Sequence, residues 1–229
     1  MINDLPSAIS NCRCLIFADD LKLLQPVANV CDCRLLQESI DKVAEWSEIN
    51  RLQLNVSKCK VISFSRSKTP VTYSYCLQSV SLERVRSIRD LGVIIDSGLT
   101  FQDHIVDMCK KANKNLGFIM RIASQFRDTR IALVLYNAFV RSRMEFNCIV
   151  WDPTDQKYRD MMEKIQKKFA RYLYKRLYGR YPFLYPSLFV AGMVGLETLE
   201  LRRKMLLAIL FAVPATRTQY ARRAPTSRA

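Results

Sequence analysis

The spacing of the apolar residues changes once along the chain, and this change limits the folds that are open to it. Residues 1–97 hold short apolar runs that alternate or are continuous, a pattern typical of strands, beside one helical stretch. The predicted strands include 60–65, 71–75 and 91–95. From Thr100 onwards, apolar residues recur every three or four positions, as they do on helices. We therefore predict an α+β region over 1–97 and an all-helical region over 98–212, followed by a flexible basic tail at 213–229.

Two elements near the start of the chain have clear patterns. Apolar residues at 12–17 and 21–24 predict two strands around a tight turn at Ala18-Asp19-Asp20. Residues 30–49 then follow a helical period, with acidic residues between the apolar ones. The chain is therefore expected to present two aspartates at the tip of a β-hairpin, with a helix after it.

Four helices are predicted in the second region. Thr100 is expected to cap the first, with an acidic residue at its third helical position, and Asp128 to cap the second. The third is predicted from about Asp155 to Tyr178 and the fourth from Leu196 to Phe211. Two prolines interrupt the chain between these last two helices.

The composition argues against several classes of protein. Hydrophobic residues make up 49% of the chain, but the longest apolar run has nine residues, against the roughly 18 that a membrane span requires. Eight cysteines include no Cys-x-x-Cys pair, and His104 is the only histidine, which argues against zinc. No secretion-type leader is visible. We therefore expect an intracellular protein with reduced thiols and no membrane partner, in the cytoplasm, the nucleus or both.

The excess positive charge lies in the second half of the chain. Residues 1–100 carry 12 Lys and Arg against 11 Asp and Glu, whereas residues 101–229 carry 24 against 10. A region this basic favours an acidic partner, with nucleic acid as the first candidate and an anionic membrane surface as the second. A solvated basic face without a partner is the alternative interpretation.

Asp19 and Asp20 stand side by side between the apolar segments of CRCLIFADDLKLLQ. Adjacent carboxylates repel each other, so each resists ionisation unless a cation is near. Mg²⁺ prefers carboxylate oxygens, and two-metal phosphoryl transfer holds its ions with a small set of carboxylates. The pair therefore has two interpretations, a Mg²⁺-binding hairpin or an aspartate-rich surface turn.

Six motifs that appear in order favour the first interpretation. They are INDLP at 2–6, FADD at 17–20, WSEINRLQLNVSKCK at 46–60, RDLGVIIDSGLTFQDHI at 89–105, NAFVRSRMEFNCIVWDP at 137–153 and LETLELRRK at 196–204. The series resembles the reverse transcriptase of non-long-terminal-repeat retrotransposons, most like the jockey-type elements of insects and other animals. The resemblance implies a partial polymerase palm, with a β-hairpin, a helix and short antiparallel strands, followed by an all-helical, thumb-like region.

The resemblance also assigns roles to residues of the first region. Asp19 and Asp20 would be the catalytic, metal-binding carboxylates, and Phe17 would lie under the primer end. Lys58 matches a lysine near the incoming nucleotide, where a cation can stabilise or protonate the leaving pyrophosphate. A solvated loop lysine is the alternative. Gly92 falls in the segment that supports the primer strand and would permit close approach of the backbone, although a bulge glycine explains it equally.

A row of positive charges lies on the predicted third helix. Its members are Lys157, Lys164, Lys168, Arg171 and Lys175. At about 100° per residue they share one face, beside an apolar stripe at Ile165, Phe169 and Leu173. This arrangement suits a helix that lies along a phosphate backbone, whereas the alternative is an ordinary amphipathic helix with solvated lysines. Five tyrosines interleaved with the charges could stack on bases or pack in the core. They are Tyr172, Tyr174, Tyr178, Tyr181 and Tyr185.

The resemblance implies Mg²⁺-dependent nucleotidyl transfer from a dNTP to a primer 3′ end, with an RNA template and a DNA primer. In the family, the fingers and an earlier palm strand with another metal-binding aspartate precede INDLP, and this sequence does not contain them. We therefore expect this chain to be inactive by itself and to associate with the missing palm and fingers portion. The alternative is a non-catalytic nucleic-acid-binding remnant that uses the basic helical half. A globular fragment without a selected role is the third interpretation.

Overall fold

The computed structural model describes residues 4–9, 11–65, 67 and 69–212. Contacts within the chain divide it into two units, Met1–Thr100 and Phe101–Ala229, and each unit is described by itself. The division falls close to the position predicted from the change in apolar spacing. The tail predicted at 213–229 lies outside the described residues. The palm and thumb identities of the two units stay predictions.

The described part of the first unit combines two α-helices and a 3₁₀ turn with four two-stranded sheets. Its elements are α1 (Leu5–Ala8), β1 (Arg13–Phe17), β2 (Asp20–Leu24), α2 (Val30–Ile49), the 3₁₀ turn (Val56–Lys58), β3 (Lys60–Val61), β4 (Cys76–Leu77), β5 (Val80–Ser81), β6 (Glu83–Arg84), β7 (Ser87–Asp90) and β8 (Val93–Asp96). Strands β1–β2, β4–β5 and β7–β8 pair antiparallel, whereas β3–β6 pair parallel. The predicted hairpin and the helix predicted over 30–49 are both confirmed.

Helix α2 organises the first unit because both of its long faces are covered. A capping box starts it: the Asn29 side chain accepts from the amides of Cys31 and Asp32, and the Asp32 carboxylate accepts from the Asn29 amide. On one face, Ile40 packs in a cluster with the loop residues before β4 and with β4 itself. On the other face, Val43 packs against α1 and the apolar side of the β1–β2 hairpin. The hairpin is thereby held against a long helix.

Two of the predicted strands are wrong or too long. The strand predicted over 60–65 is limited to Lys60–Val61, and residues 71–75 form no strand. The backbone of 71–75 is used differently. The Tyr73 carbonyl accepts from the Arg84 guanidinium at 2.7 Å, while the Tyr75 carbonyl accepts from the Leu82 amide at 2.8 Å. The alternating apolar side chains still pack on α2, so the periodicity correctly indicated burial but not the backbone pairing.

The described part of the second unit is helical. Its elements are α3 (Gln102–Ala123), α4 (Thr129–Tyr136), a π-helical segment (Asn137–Arg141), α5 (Ser142–Glu145), α6 (Cys148–Trp151), α7 (Gln156–Tyr178), α8 (Ser187–Met193) and α9 (Leu199–Ala212). Helix α7 contacts α3, α4, α8 and α9, and its buried residues include Met162, Ile165 and Phe169. Within the described ranges, no helix has the length and apolar character needed to cross a membrane.

Of the four predicted helix starts, two agree with the structure and two differ from it. Asp128 caps α4 as predicted, and Asp155, where the third helix was predicted to begin, caps α7; each accepts a hydrogen bond from an amide two residues on. Thr100 does not cap α3, because its amide and hydroxyl both donate to the Asp96 carboxylate, and the cap position is taken by Phe101 in the left-handed region. Helix α9 starts at Leu199 instead of Leu196, since the Thr198 hydroxyl accepts from the Leu201 amide at 3.2 Å. Helix α8 was missed between the predicted third and fourth helices.

Candidate active site and nucleic-acid interface

The β1–β2 hairpin places both aspartates at its tip. Phe17 pairs with Asp20, so Ala18 and Asp19 form a two-residue turn, and Asp20 is the first residue of β2. Ala18 has a φ of 53°, a left-handed conformation that costs a non-glycine residue energy and is found where the surrounding structure imposes it. Both aspartate side chains are exposed. The hairpin therefore presents two adjacent carboxylates to solvent, as the sequence pattern predicts.

Alternation along β1 explains how the tip is held. Cys14 and Ile16 face the cluster around Val43 of α2, together with Leu21 and Leu23 of β2. The side chains between them point the other way. Phe17 is on that outer side and is 63% exposed. The hairpin is thus anchored on one face and open on the other, at the residue for which a primer contact is predicted.

A second hairpin is tied to the first by an ion pair. The Lys22 ammonium lies 2.6 Å from Asp90 Oδ1, and both side chains are partly buried. Asp90 ends β7 and pairs with Val93, so Leu91 and Gly92 form the two-residue turn between β7 and β8. Their φ values are 43° and 87°. Positive φ at both central residues is the pattern of a type I′ hairpin turn, which favours glycine.

Gly92 therefore has a different structural position from the one predicted. The sequence pattern put it inside a strand over 91–95, whereas the strand begins at Val93 and Gly92 is exposed in the turn. The Lys22–Asp90 pair was not predicted, because opposite charges 68 residues apart leave no periodic signal. The Asp-Leu-Gly order before a β-branched run was the available sign of the turn.

Lys58 lies away from any described acidic partner. It ends the 3₁₀ turn, where its amide donates to the Asn55 carbonyl at 3.0 Å, and its side chain is exposed. The Asn55 side chain accepts from the Ser57 hydroxyl at 2.6 Å and so stabilises the same turn. Among the described residues, no hydrogen bond or ion pair links Lys58 to the hairpin tip. The structure therefore neither joins Lys58 to the aspartates nor gives it a structural role of its own.

The residues present suit a divalent cation in type but are few in number. Carboxylate oxygens are the ligands that Mg²⁺ prefers, and Asp19 and Asp20 are exposed next to each other. Across the described ranges, however, no group of three or more acidic, histidine or cysteine side chains is placed to hold a metal ion. Asp19 and Asp20 are therefore the residues that would hold Mg²⁺, with the remaining ligands coming from water, a nucleotide or another chain.

Helix α7 presents most of the predicted cationic row to solvent. Lys157, Lys164, Lys168 and Lys175 are exposed, while the apolar stripe beside them, Ile165, Phe169 and Leu173, is buried. Arg171 differs. Its guanidinium donates to the Pro182 carbonyl at 3.2 Å and to the Ser187 hydroxyl at 3.5 Å, and it lies 5.9 Å from the Tyr181 ring. The arginine holds the loop after α7, so the row available to a phosphate backbone consists of four lysines.

A buried polar chain fixes the inner face of α7. The Tyr136 hydroxyl donates to Gln166 Oε1 at 3.0 Å, and Gln166 Nε2 donates to the Glu197 carbonyl at 2.6 Å. The Tyr136 ring also stacks on Phe169 with the ring centroids 4.0 Å apart. Burial raises the pKa of Tyr136 above its usual value, so the phenol keeps the proton that it donates. The row of lysines is thereby carried on a helix that is fixed by α4 and by the segment before α9.

Sequence reasoning missed several exposed side chains near the row. Lys167 is exposed beside Lys168, and Phe183, in the loop after α7, is 80% exposed. Phe189 of α8 is exposed as well. The available signal was the charge pattern, because no acidic residue occurs between Glu163 and Glu197.

The chain has distant and partial similarity to two curated proteins. Over 140 residues, 59% of this chain, it is 21% identical to a probable RNA-directed DNA polymerase from transposon X-element of Drosophila melanogaster, of which it covers 15%. Over 91 residues, 39% of this chain, it is 29% identical to the uncharacterized protein B0403.1 of Caenorhabditis elegans, of which it covers 44%. The chain thus spans less than half of either relative. The similarity to the Drosophila protein supports a distant relationship to transposon polymerases.

Other comparisons add nothing to this relationship. No family model matches the chain, and no solved structure matches it.

Proposed function

We propose that this chain is a piece of a reverse transcriptase of a non-long-terminal-repeat retrotransposon, comprising part of the palm and the thumb. The observation that carries the proposal is the hairpin tip: Asp19 and Asp20 are exposed in a two-residue turn between paired strands, within the motif FADD. The similarity to a transposon polymerase supports the same assignment. The chemistry of the whole enzyme is transfer of a nucleotide from a dNTP to a primer 3′ end.

Each candidate residue of the first unit would have a separate role in this reaction. Asp19 and Asp20 would hold Mg²⁺, which supplies charge neutralisation beside the reacting phosphates when it is bound. Phe17, on the exposed side of β1, would support the primer end by contact with its terminal base or sugar. Gly92, at the tip of the β7–β8 hairpin, would let a primer strand approach the backbone closely. Lys58 is assigned to the pyrophosphate by resemblance alone.

Two carboxylates from one turn make an incomplete centre. Two-metal transfer needs further ligands, and the described residues contain no group of three or more acidic, histidine or cysteine side chains that could supply them. We therefore propose that the chain is inactive alone and works only with a separate palm and fingers portion.

Primer extension tests this proposal. The full chain is mixed with Mg²⁺, dNTPs and a DNA primer on an RNA template, alone and together with the palm and fingers portion of a related polymerase. We expect no extension by the chain alone and extension by the mixture that disappears with Asp19→Ala or Asp20→Ala. Asp41→Ala, which removes an exposed carboxylate of α2, is the matched control and should retain activity.

Extension by the chain alone would contradict its proposed dependence on a second portion. Mixed-chain activity that survives both hairpin substitutions would remove the assignment of the aspartates. A direct measurement of metal binding is independent of assembly. Mn²⁺ should broaden the NMR signals of Ala18 to Leu21 in the wild-type chain and in Asp41→Asn, but not in the Asp19→Asn, Asp20→Asn double variant.

A second candidate function is non-catalytic binding of nucleic acid by the helical unit. The observation that favours it is the row of exposed lysines on α7, in a half-chain with 24 Lys and Arg against 10 Asp and Glu. The logarithm of the affinity for a primer–template duplex should fall linearly with the logarithm of the salt concentration. Lys164→Gln and Lys168→Gln should each reduce the magnitude of this salt slope by about 1. Lys111 is an exposed lysine of α3 that pairs with Asp107, and Lys111→Gln should leave the slope unchanged. A flat salt dependence of the wild type would exclude phosphate contacts.

A further inference from the structure

One span of the helical unit combines aromatic rings with positive charge and has no negative charge. Residues 164–196 contain seven Lys and Arg and eight Phe and Tyr, but no Asp or Glu. A solvated helix face normally mixes both signs, because acidic side chains pair with the basic ones. This composition therefore favours a polyanionic partner with flat, apolar groups. Nucleic acid with accessible bases has both properties.

The structure divides these rings into an inner and an outer set. Phe169 and Tyr174 are buried and belong to the core of the unit. The outer rings lie in the segment 178–189, here called the aromatic loop, which runs from the end of α7 into α8. Its exposed rings are Tyr178, Tyr181, Phe183 and Phe189, of which Phe183 is the most exposed at 80%.

The outer rings are arranged as small platforms. The ring centroids of Tyr181 and Phe183 lie 4.6 Å apart. The Arg171 guanidinium, which donates to the Pro182 carbonyl, lies 5.9 Å from the Tyr181 centroid. Tyr178 contacts the buried Tyr174 with a centroid distance of 4.5 Å. Each exposed ring thus has a second ring or a guanidinium on one side and solvent on another, where a base could stack.

Contacts with α7 fix the loop that carries the rings. Arg171 donates to the Pro182 carbonyl at 3.2 Å and approaches the Ser187 hydroxyl at 3.5 Å, so one side chain spans the middle of the loop. The Phe183 amide donates to the Tyr181 carbonyl at 3.0 Å, which holds the two rings close together. Because the loop is already positioned, a ligand that stacks on it pays little for ordering it.

Exposed cations lie on the same span. Lys168 and Lys175 of α7 and Arg180 of the aromatic loop are all exposed, and Lys164 and Lys167 continue the charge along the helix. A protein partner of ordinary composition would need its own acidic patch to match this surface. A nucleic acid carries one negative charge on every nucleotide, beside a base that can stack.

We propose that the aromatic loop binds single-stranded RNA or DNA by stacking unpaired bases on Phe183 and Tyr181 while the exposed lysines of α7 contact the phosphates. This inference rests on the nucleic-acid component of the proposed function and adds the strandedness of the ligand and the residues that recognise it. Bases inside a duplex already stack on each other and offer no face to an aromatic side chain, whereas single strands do. The loop therefore distinguishes unpaired from paired nucleic acid.

The test uses the full chain and three fluorescent probes of about 12 nucleotides, within the range that such surfaces cover. The probes are oligouridine RNA, oligothymidine DNA and a DNA duplex. Phe183→Leu removes the ring but keeps an apolar side chain, and Tyr181→Leu does the same at the neighbouring ring. Phe118→Leu, at an exposed ring of α3 outside the span, is the matched control. Circular dichroism and the urea midpoint confirm that each variant is folded.

We expect Phe183→Leu to weaken binding to a single strand about tenfold, because the variant loses the ring on which a base stacks. Tyr181→Leu should also weaken it, while duplex affinity and the Phe118→Leu control stay unchanged. A Lys164→Gln, Lys168→Gln double variant should weaken binding to all three probes. Comparison of the RNA and DNA arms identifies which of the two single strands the loop prefers.

The outcomes separate this inference from the broader function. If the wild type binds no probe, nucleic-acid binding itself fails, and the stacking proposal fails with it. If it binds and Phe183→Leu and Tyr181→Leu change nothing, only the stacking proposal is overturned. An equal loss on the duplex also overturns it. Self-association that Phe183→Leu abolishes, with unchanged RNA affinity, would assign the loop to a second copy of the chain instead.

Discussion

Arg203 shows how a single residue can hold an element in place. It is 3% exposed, its Nε donates to Asp152 Oδ1 at 2.5 Å, and its Nη2 has no hydrogen-bond partner among the described residues. The helix α9 is thereby joined to the end of α6. Either substitution leaves the carboxylate of Asp152 unpaired, but Asp152 is 44% exposed and water can solvate it. Alanine also creates a cavity, whereas an apolar side chain of similar length fills the space.

Because of the cavity, Arg203→Ala should lower the free energy of unfolding by about 3 kcal/mol and Arg203→Met by about 1 kcal/mol. Urea denaturation followed by circular dichroism measures both. Lys204→Ala, the neighbouring lysine that is exposed and paired with Glu200, should change the value by less than about 0.5 kcal/mol. Equal losses for alanine and methionine would show that the ion pair, and not the filled space, determines the cost.

Replacing Gly92 or Gly117 with alanine is expected to change the free energy of unfolding in opposite directions. Gly92 has a φ of 87° in the turn between β7 and β8, where a side chain strains the backbone. Gly117 lies inside α3, and a Cβ added there meets no atom within 4 Å. Gly92→Ala should lower the free energy of unfolding by about 1 kcal/mol, and Gly117→Ala should raise it by about 0.5–1 kcal/mol. Thermal or urea unfolding of the two variants tests this. Stabilisation by Gly92→Ala would contradict the assigned turn, and destabilisation by Gly117→Ala would contradict the open space found beside α3.

At the scale of elements, α7 is the helix that carries the candidate nucleic-acid interface. Asp155 caps it by accepting from the Lys157 amide at 2.8 Å, and Gly179 ends it with a φ of 73°. Its inner face is fixed by the chain from Tyr136 through Gln166 to Glu197. Since the lysines are on the opposite side of a helix held in this way, the structure separates the stabilising face from the charged face.

Asp155→Ala should lower the free energy of unfolding by about 1 kcal/mol, because it removes the side-chain acceptor at the start of α7. Asp155→Asn keeps a side-chain acceptor, so it should lower the free energy of unfolding by only a few tenths of the loss expected for alanine. Urea midpoints distinguish the two. The same pair of variants should leave the salt slope of duplex binding unchanged, since Asp155 lies outside the row of lysines.

At the scale of the whole molecule, net charge determines how the protein responds to salt. The chain carries a net charge of +15, and 24 of its 36 Lys and Arg belong to residues 101–229. Like charges on one folded unit repel each other, and dissolved ions screen this repulsion. The charge therefore opposes the compact state in low salt.

Raising NaCl from about 0.05 M to 0.3 M should raise the midpoint temperature of unfolding by a few degrees, as the screening length shortens. Differential scanning calorimetry measures the shift. Replacing Lys167 and Lys168 with Gln removes two exposed positive charges and should reduce the shift. A midpoint that falls on adding salt would mean that the ion pairs stabilise the fold more than the excess charge opposes it.

Most of the helical fold could be predicted from the sequence because its signals are local. The apolar spacing of α7, its start near Asp155 and the capping position of Asp128 are contained within a few helical turns. The hairpin around the FADD motif is local as well, since its strands are joined by two residues. A predicted helix start was misplaced where a residue outside the helix took up the capping groups. The amide and hydroxyl of Thr100, the predicted cap of α3, both donate to the Asp96 carboxylate.

The order of the amino acids alone determined the change from strands to helices, the position of the two aspartates at a hairpin tip and the uneven charge of the two halves. These properties depend on the spacing of apolar residues, on turns between neighbouring residues and on the number of charged residues in each half. Only the tertiary structure decided which side chains remain available: Arg171 holds the aromatic loop while four lysines of the row face solvent, and Lys22 joins Asp90. The physical reason is that exposure and pairing depend on residues distant in sequence, and periodicity carries no information about them.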